Sequence, residues 1–507
     1  MLKRLLPTLL SGILLGLSYP SFDPIPTGIL AWFAFVPFLL ANRTTKPLKV
    51  FIIHTALLTI IALFIEAWWV SVYSISALLI CVFSQFYFLV LPLIIHYFLQ
   101  KRFNFQKALF LLPFIFTLTD WLAHITPHGL QTDLLAYTQA NNIWLIQFAD
   151  LFGMWGVTFW VMMMNVLIVK FIDSKAKKNL FLPVIWLILP LLYSFYYLKL
   201  NSKSVLGYSK DKVKVALIQT NLDSYAHDST STQKTFNEIV SLSDSAVRTS
   251  QPDLIVLPEA AIPLPLFQNK ELLDFTKQAI SSWQTSVAIG FVEYPDSTKK
   301  HIFRNNALVF TPQLATFWDS LKIKPQDIKI YQKQYGLPFV EIMPYFEEKA
   351  TPRGSAMQRG SEPYIFSFLD AKGFTTKTAL TICWEQMYPE KMASLVNEGA
   401  EMIALMNNDA WFGRSGGAKQ LLSFTRMRAI ENRRSIARCS NGGISCFIDP
   451  FGRIYGKLPW YKATFGTQEV QKVSKKSFYT THPNFFLIAL AAMLLLMLFY
   501  AEFLRKK

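Results

Sequence analysis

Three short segments carry side chains that could do covalent chemistry together. LPEAAIP offers the carboxylate of Glu259, YQKQYGLPFVE the amine of Lys333, and TICWE the thiol of Cys383. A thiol attacks only as thiolate, and with a free pKa of about 8.5 it needs a group to take its proton. A carboxylate directly after the apolar run LIVLP is such a group, because burial raises an acid toward a useful base. A fixed ammonium, with a backbone N–H just after the nucleophile, would stabilise the oxyanion of an acyl transfer. Taken singly, each residue has a plainer reading. Cys383 can be an inert buried thiol, Glu259 a salt-bridged loop acid, and Lys333 one solvated cation among 50 Lys and Arg.

The surrounding pattern predicts elements able to hold these groups. VKVALIQTN, PDLIVLPEAAIP, TSVAIGFVEY, NNALVFTP, FTTKTALTICWE and MIALMNNDAWFG read as strands. Ser229 to Thr249 has helical spacing, and a helix is expected to start near Pro389–Glu390 and close at Gly399. QLLSFTRMRAIENRRSIARCS reads as one long amphipathic helix, and GISCFIDPFGRIYGKL as a hairpin. Strands alternating with helices indicate an α/β layer protein. In such sheets chemistry sits past strand ends, which is where Glu259, Cys383 and the stretch from Asn407 to Asp409 fall. Cys383 is expected on a sharp strand-to-helix turn.

Apolar residues make up 52% of the 507 residues, but they crowd into 1–200 and 484–504. With about 20 apolar residues per crossing, eight candidate spans emerge: 5–21, 28–42, 50–70, 75–99, 108–126, 143–169, 180–200 and 484–504. Residues 1–20 also admit a signal-peptide reading, although no small-residue cleavage site is evident. The net charge is +17. No basic stripe with interleaved stacking aromatics is present, which argues against nucleic acid. The cations instead cluster at Lys3/Arg4, Arg43/Lys46/Lys49, Lys101/Arg102/Lys107 and Lys170/Lys175/Lys177/Lys178, while the alternate loops 17–28, 71–75 and 127–142 hold none. Positive residues stay cytoplasmic, so this pattern predicts both termini inside, including Arg505, Lys506 and Lys507, and 201–483 outside. Two acids, Glu66 and Asp120, lie in the apolar segments beside Trp68, Trp69 and Trp121. They are either functional or simply in the wet interface near helix ends.

Of the four cysteines, none forms C-x-x-C, which argues against zinc or thioredoxin-like chemistry. Cys81 reads as a passive apolar residue. Cys439 and Cys446 straddle SNGG and could pair or stay free.

Together the segments around Glu259, Lys333 and Cys383 resemble the nitrilase superfamily, whose Glu, Lys and Cys occur in this chain order. More narrowly, YQKQYGLPFVEIMP, NNDAWFG and FTRMRAIENRRSIARCSNGGIS resemble the apolipoprotein N-acyltransferase family. That resemblance implies an α/β fold, with a nitrilase-like α-β-β-α sandwich inserted before the last helix of an eight-helix transmembrane bundle. The implied division is 1–200 transmembrane, 201–211 linker, 212–472 catalytic and periplasmic, 473–483 linker, and 484–507 final helix and basic tail. It implies Glu259 as general base, Lys333 as oxyanion stabiliser, Cys383 as nucleophile and Glu341 as a second essential acid. Trp384, Glu385, Asn305, Asn408, Trp411 and Phe412 fall at supporting or substrate-binding positions. Ala410 to Phe412 and residues 345–362 are candidate lids.

The chain departs from the family pattern in several places. Ala418 and Leu421 stand where a G-P-x-Q-H segment is usual, and Arg304 precedes Asn305 where Tyr is usual. HGLQTDLLAY replaces an aromatic Pro-Trp pair, and no Trp follows NLDSYAHD. These bear on lipid binding and loops rather than on the three reactive residues.

The implied reaction is ping-pong acyl transfer from a phospholipid, phosphatidylethanolamine being the implied donor, through a Cys383 thioester. The implied acceptor is the α-amino group of a diacylated apolipoprotein. The resemblance implies no metal or cofactor, a monomer, and a bacterial inner membrane. Two rivals are a membrane-anchored amidohydrolase of the same superfamily and a transporter or receptor with a non-catalytic ectodomain. The first predicts hydrolysis without amide formation, the second polar residues lining several helices.

Overall fold

The computed structural model describes residues 2–506 except 23–24, 175, 201–211, 223–228, 297 and 300. The expected linker 201–211 and the whole SYAHD stretch lie outside the described residues. The chain divides into two units. One comprises 1–201, 414–427 and 477–507, and the other comprises 202–413 and 428–476.

The first unit is helical. Six of its helices are long and apolar enough to cross a membrane: Leu48–Glu66, Ile75–Arg102, Phe105–Ile125, Ala149–Ser174, Phe181–Lys199 and Phe485–Arg505. Large apolar side chains such as Leu495, Leu496 and Phe499 stay exposed on the last of these, as a lipid-facing surface requires. The two remaining expected spans are shorter apolar helices, Leu5–Leu17 and Thr27–Ala41. The second is not one rod: a 3-10 turn over Thr27–Trp32 gives way to a six-residue helix, Val36–Ala41. The backbone groups freed at this break need partners away from water. Asn165 supplies them, accepting from Phe35 N at 3.0 Å and donating to Ala31 O at 2.8 Å. Ser11 Oγ accepts from Phe38 N at 3.0 Å.

The wet-interface reading of the two acids does not hold. Glu66 is fully buried and accepts a hydrogen bond from Gln420 Nε2 at 2.9 Å. Asp120 is buried and accepts from Leu135 N at 3.0 Å and Thr158 Oγ1 at 3.2 Å. Ends carrying the basic clusters meet through ion pairs, Arg43 with Asp173 at 3.4 Å and Arg102 with Glu502 at 2.7 Å.

The second unit is mixed α/β, with thirteen strands among the described residues. In chain order they are β1 (Lys212–Gln219), β2 (Leu254–Val256), β3 (Ser286–Glu293), β4 (Ile302–Phe310), β5 (Tyr331–Gln332), β6 (Ala356–Met357), β7 (Ile365–Leu369), β8 (Thr375–Ile382), β9 (Met402–Asn408), β10 (Ser435–Asn441), β11 (Cys446–Ile448), β12 (Ile454–Tyr455) and β13 (Thr464–Gln471). One sheet runs β13-β1-β2-β3-β4-β5, with β6 beside β4, and the other β12-β11-β10-β9-β8-β7. A single apolar core joins them, with Leu217, Ile255, Ala288 and Leu308 from the first sheet and Leu380, Ile382, Ala404, Met406 and Ala437 from the second. Ile239 and Ala246 of helix Ser229–Ser250 and Leu273 and Ile280 of helix Lys270–Trp283 complete it.

The expected long helix through 420–440 is corrected. The helix covers Gly416–Asn432, and Ser435–Asn441 is a central strand between β9 and β11. Arg433 breaks it with a left-handed φ of +49°. The periodicity misled because the polar residues here do not mark a wet face. Arg428 pairs with Glu431 at 3.2 Å, both fully buried, and Arg434 Nε donates to Ala400 O at 2.7 Å. Cys439 and Cys446 are free, buried thiols on neighbouring strands.

Candidate active site

Glu259 follows the short buried strand β2. Its carboxylate emerges where the chain crosses β3 so closely that a Cβ on Gly290 would lie 2.9 Å from Ala260 N. Only glycine leaves that room. Glu259 N donates to Asn407 O at 3.3 Å, tying the loop to the end of β9 in the other sheet. Its Oε1 accepts from Lys333 Nζ at 2.9 Å and from Asn305 Nδ2 at 2.8 Å.

Lys333 comes directly after β5 and is fully buried. Its backbone is held on both sides, N donating to Asn305 O at 2.8 Å and O accepting from Gly360 N at 2.9 Å. Its ammonium donates to both oxygens of Glu341, at 2.7 and 2.9 Å, as well as to Glu259. Glu341 is fixed in turn by Leu337 N at 2.7 Å. A lysine buried alone would lose its proton. Here burial is overcome by the two carboxylates, which push Lys333 well above the ordinary lysine range. Ion pairing on two sides thus favours its charged form. Glu259 is raised, chiefly by burial, with Lys333 opposing and Glu341 reinforcing the shift.

Cys383 leaves β8 with a left-handed φ of +50°, a conformation that costs an L-residue energy and is held by what surrounds it. A 3-10 turn, Cys383–Met387, and helix Pro389–Asn397 follow. The strand-to-helix turn read from the sequence is thus present, and the residue is partly exposed. Burial pushes the thiol well above its ordinary range; Glu259 and Glu341 push the same way, while Lys333 opposes. The resting group is a thiol, so a base must take its proton during attack.

Glu385 joins the two halves of this arrangement. It is fully buried, and its Oε1 accepts from Tyr331 Oη at 2.5 Å and from Gln334 N at 2.7 Å, on either side of Lys333. Its Oε2 accepts from Ile382 N at 2.8 Å, just before Cys383.

Glu259, Asn305, Lys333 and Glu341 form one bonded cluster, with Cys383 in its field and Glu385 bonded to the segments that carry Lys333 and Cys383. The other expected residues lie elsewhere. Trp384 turns into the core, 2% exposed. Asn408 accepts from Asn441 Nδ2 at 3.2 Å. Trp411 and Phe412 sit on a 3-10 turn past β9. The Arg353 guanidinium lies over the Trp411 ring at 4.3 Å, which joins the two candidate lid segments.

Sequence reading passed over Tyr331, Gln334 and Lys391, although the first two flank Lys333. It also passed over Arg438, which pairs with Asp409 at 2.9 Å, both fully buried. Arg438 fell in the stretch misread as helix. Among the described residues, no group of three or more His, Cys, Asp or Glu could hold a metal ion.

Residues 214–477 match the carbon–nitrogen hydrolase family, and residues 11–167 match the apolipoprotein N-acyltransferase N-terminal domain. The apolipoprotein N-acyltransferase of Chlorobaculum tepidum is 32% identical over 499 residues, covering 94% of this chain and 92% of that protein. The one from Geobacter metallireducens is 26% identical over 511 residues, covering 96% and 93%. Among solved structures, Saccharomyces cerevisiae Nit3, a member of branch 10 of the nitrilase superfamily, has 16% identity and a TM-score of 0.39, covering 54% of this chain and 94% of its own. With both its helical and its α/β parts matched, and a relative so similar along nearly its whole length, the chain belongs to the apolipoprotein N-acyltransferase family.

Proposed function

We propose that this protein moves a fatty acyl chain from a phospholipid to the α-amino group of a lipoprotein's N-terminal diacylglyceryl-cysteine, through a thioester on Cys383. The observation that carries the reading is the buried Lys333 ammonium, held by Glu259 and Glu341, in the electrostatic field that also acts on the Cys383 thiol.

In the first half-reaction Glu259 takes the proton of Cys383 as the sulfur attacks the ester carbonyl. Lys333 stabilises the oxyanion, where a fixed charge needs no reorganisation. Collapse breaks the ester C–O bond, and Glu259 returns the proton to the departing lysophospholipid. In the second half the acceptor amine attacks the thioester carbonyl. Glu259 takes its proton and passes it to the leaving sulfur, so the amide forms and Cys383 is restored. Glu341 holds Lys333 in place, and Asn305 orients the base. The ester is the energy source, so no cofactor is required. Trp411, Phe412 and Asn408 line or support the substrate path, Trp384 supports the Cys383 turn from the core, and 345–362 with 410–412 act as lids that keep water from the thioester.

Phosphatidylethanolamine is the donor, and the enzyme works as a monomer in a bacterial inner membrane. The eight apolar segments form one bundle, with the catalytic domain 212–472 inserted before the last helix and facing the periplasm. The alternation of basic and uncharged loops supports this orientation, and the ion pairs Arg43–Asp173 and Arg102–Glu502 hold the ends they join together.

The test uses phosphatidylethanolamine labelled in its acyl chains and a diacylated lipopeptide. The parent protein should form a labelled acyl-enzyme and then a labelled amide, and Cys383→Ser should form no thioester. Thioester in that variant would overturn the nucleophile. Rapid hydrolysis without amide would favour an amidohydrolase.

A further inference from the structure

Helix Pro389–Asn397 carries a lysine where folding alone disfavours one. Lys391 is 4% exposed and lies in the first turn, where the free N–H groups favour an anion over a cation. Its nitrogen donates to Gln334 Oε1 and lies 4.8 Å from the centre of the Tyr331 ring. Among the described residues no carboxylate oxygen reaches it within ion-pair distance. Burial draws it below the ordinary lysine range, against the smaller opposing influence of Glu385. A buried ammonium without a counter-ion is destabilising, so an apolar side chain of similar length would serve the fold better.

What Lys391 touches explains its presence. Tyr331 and Gln334 bracket Lys333, two residues before it and one after. β5 is only two residues long, pairing Tyr331 with Ala307 and Gln332 with Asn306, and past it the Lys333 backbone is held by single bonds to Asn305 and Gly360. Those bonds fix Lys333 itself, and side chains steady the residues on either side of it. Glu385 does so from the Cys383 turn, and Lys391 does so from the helix beyond it.

We propose that Lys391 is a positioning residue for acyl transfer: by gripping Gln334 and Tyr331 it fixes the peptide that carries Lys333, and so the place of the ammonium relative to Cys383. The proposal rests on the acyl-transfer reading above.

The experiment follows single-turnover formation of labelled acyl-enzyme by the full-length protein in mixed micelles of detergent and acyl-labelled phosphatidylethanolamine. Thermal unfolding is measured alongside. Lys391→Met should slow acylation at saturating lipid by about ten-fold or more, since small misplacements of reacting groups are costly. The half-saturating lipid concentration should not change, and the unfolding temperature should hold or rise. Gln334→Ala should slow acylation similarly. The double variant should be no slower than the slower single variant, to within about two-fold, because both changes remove one shared contact. The proposal is overturned if Lys391→Met acylates within about two-fold of the parent, if its loss merely tracks a fall in unfolding temperature, or if the double loss is the product of the single losses. Cys383→Ala separates the two readings: label bound covalently to that variant would sink acyl transfer at Cys383 itself.

Discussion

Lys333 shows how a residue's meaning depends on its surroundings. In the sequence it is one cation among 50; in the folded protein it is fully buried between two carboxylates. A buried charge survives only when paired and hydrogen-bonded, and both conditions are met. The same geometry sets a pH dependence. Glu259 works as a base only when ionised, and its pKa is raised. The acid limb of kcat/KM for acyl-enzyme formation should therefore lie above the ordinary glutamate range, with activity falling as pH drops through it. Glu341 is one cause of that rise. Glu341→Gln removes its negative charge and so should move the limb to lower pH, besides lowering the rate about ten-fold or more through a loosened Lys333. A pH–rate profile of both proteins checks this, and a limb that stays put or moves upward would remove Glu259 as the titrating base. The strand-end places of Glu259 and Cys383 were readable in the sequence because each follows an apolar run. Lys391, Tyr331 and Gln334 were not, since their roles arise from contacts between segments far apart in the chain.

The elements that follow the nucleophile were the hardest to read. Burial of Arg428, Arg434 and Arg438 removes the polar–apolar contrast on which periodicity depends, so a helix and a strand merged into one expected helix. The first part of the true helix, up to Met427, belongs to the helical unit and is bonded there by side chains. Gln420 donates to Glu66, Phe424 stacks on Tyr137 at 3.8 Å, and Ser423 donates to Asn141 Oδ1 at 2.9 Å. A Cβ on Gly417 would sit 2.5 Å from the Trp69 ring, so close approach needs that glycine. Glu66→Ala should leave Gln420 Nε2 buried without its acceptor and lower stability by about 1–3 kcal/mol. Glu66→Gln keeps an acceptor and should lose less. Glu66→Leu with Gln420→Leu should come close to the parent, because removing both polar partners is often neutral. Thermal unfolding in detergent decides, and a single Glu66→Ala variant as stable as the parent would show that the bond does not matter.

At the scale of the whole molecule, the charge pattern predicts sides and the apolar lengths predict crossings. The cations cluster in alternate loops, and the ion pair between Arg102 and Glu502 joins the end of one long helix to the end of the last. In spheroplasts of a Cys383→Ala background, a membrane-impermeant maleimide should label Lys372→Cys on the catalytic unit and spare Lys101→Cys. The opposite pattern would invert the orientation. Expected spans and observed helices agree best in the long segments. They diverge at 28–42, where a 3-10 turn and a short helix replace one span and a polar side chain from a distant helix makes the break tolerable. A window of hydropathy cannot contain that partner.

The sequence alone determined what depends on neighbours along the chain: the apolar segments, the alternation of basic loops, most strands of the α/β unit, and the strand-to-helix turn at Cys383. These follow from local composition and backbone preference, and the matching motifs carried the family. Only the tertiary structure decided which charges are buried and paired. It closed Lys333 between Glu259 and Glu341, tied the segments of Lys333 and Cys383 together through Glu385, kept Cys439 and Cys446 as free thiols, and gave the acid at Glu66 its partner. Ion pairing and desolvation depend on distances across the fold, and no spacing along the chain encodes them.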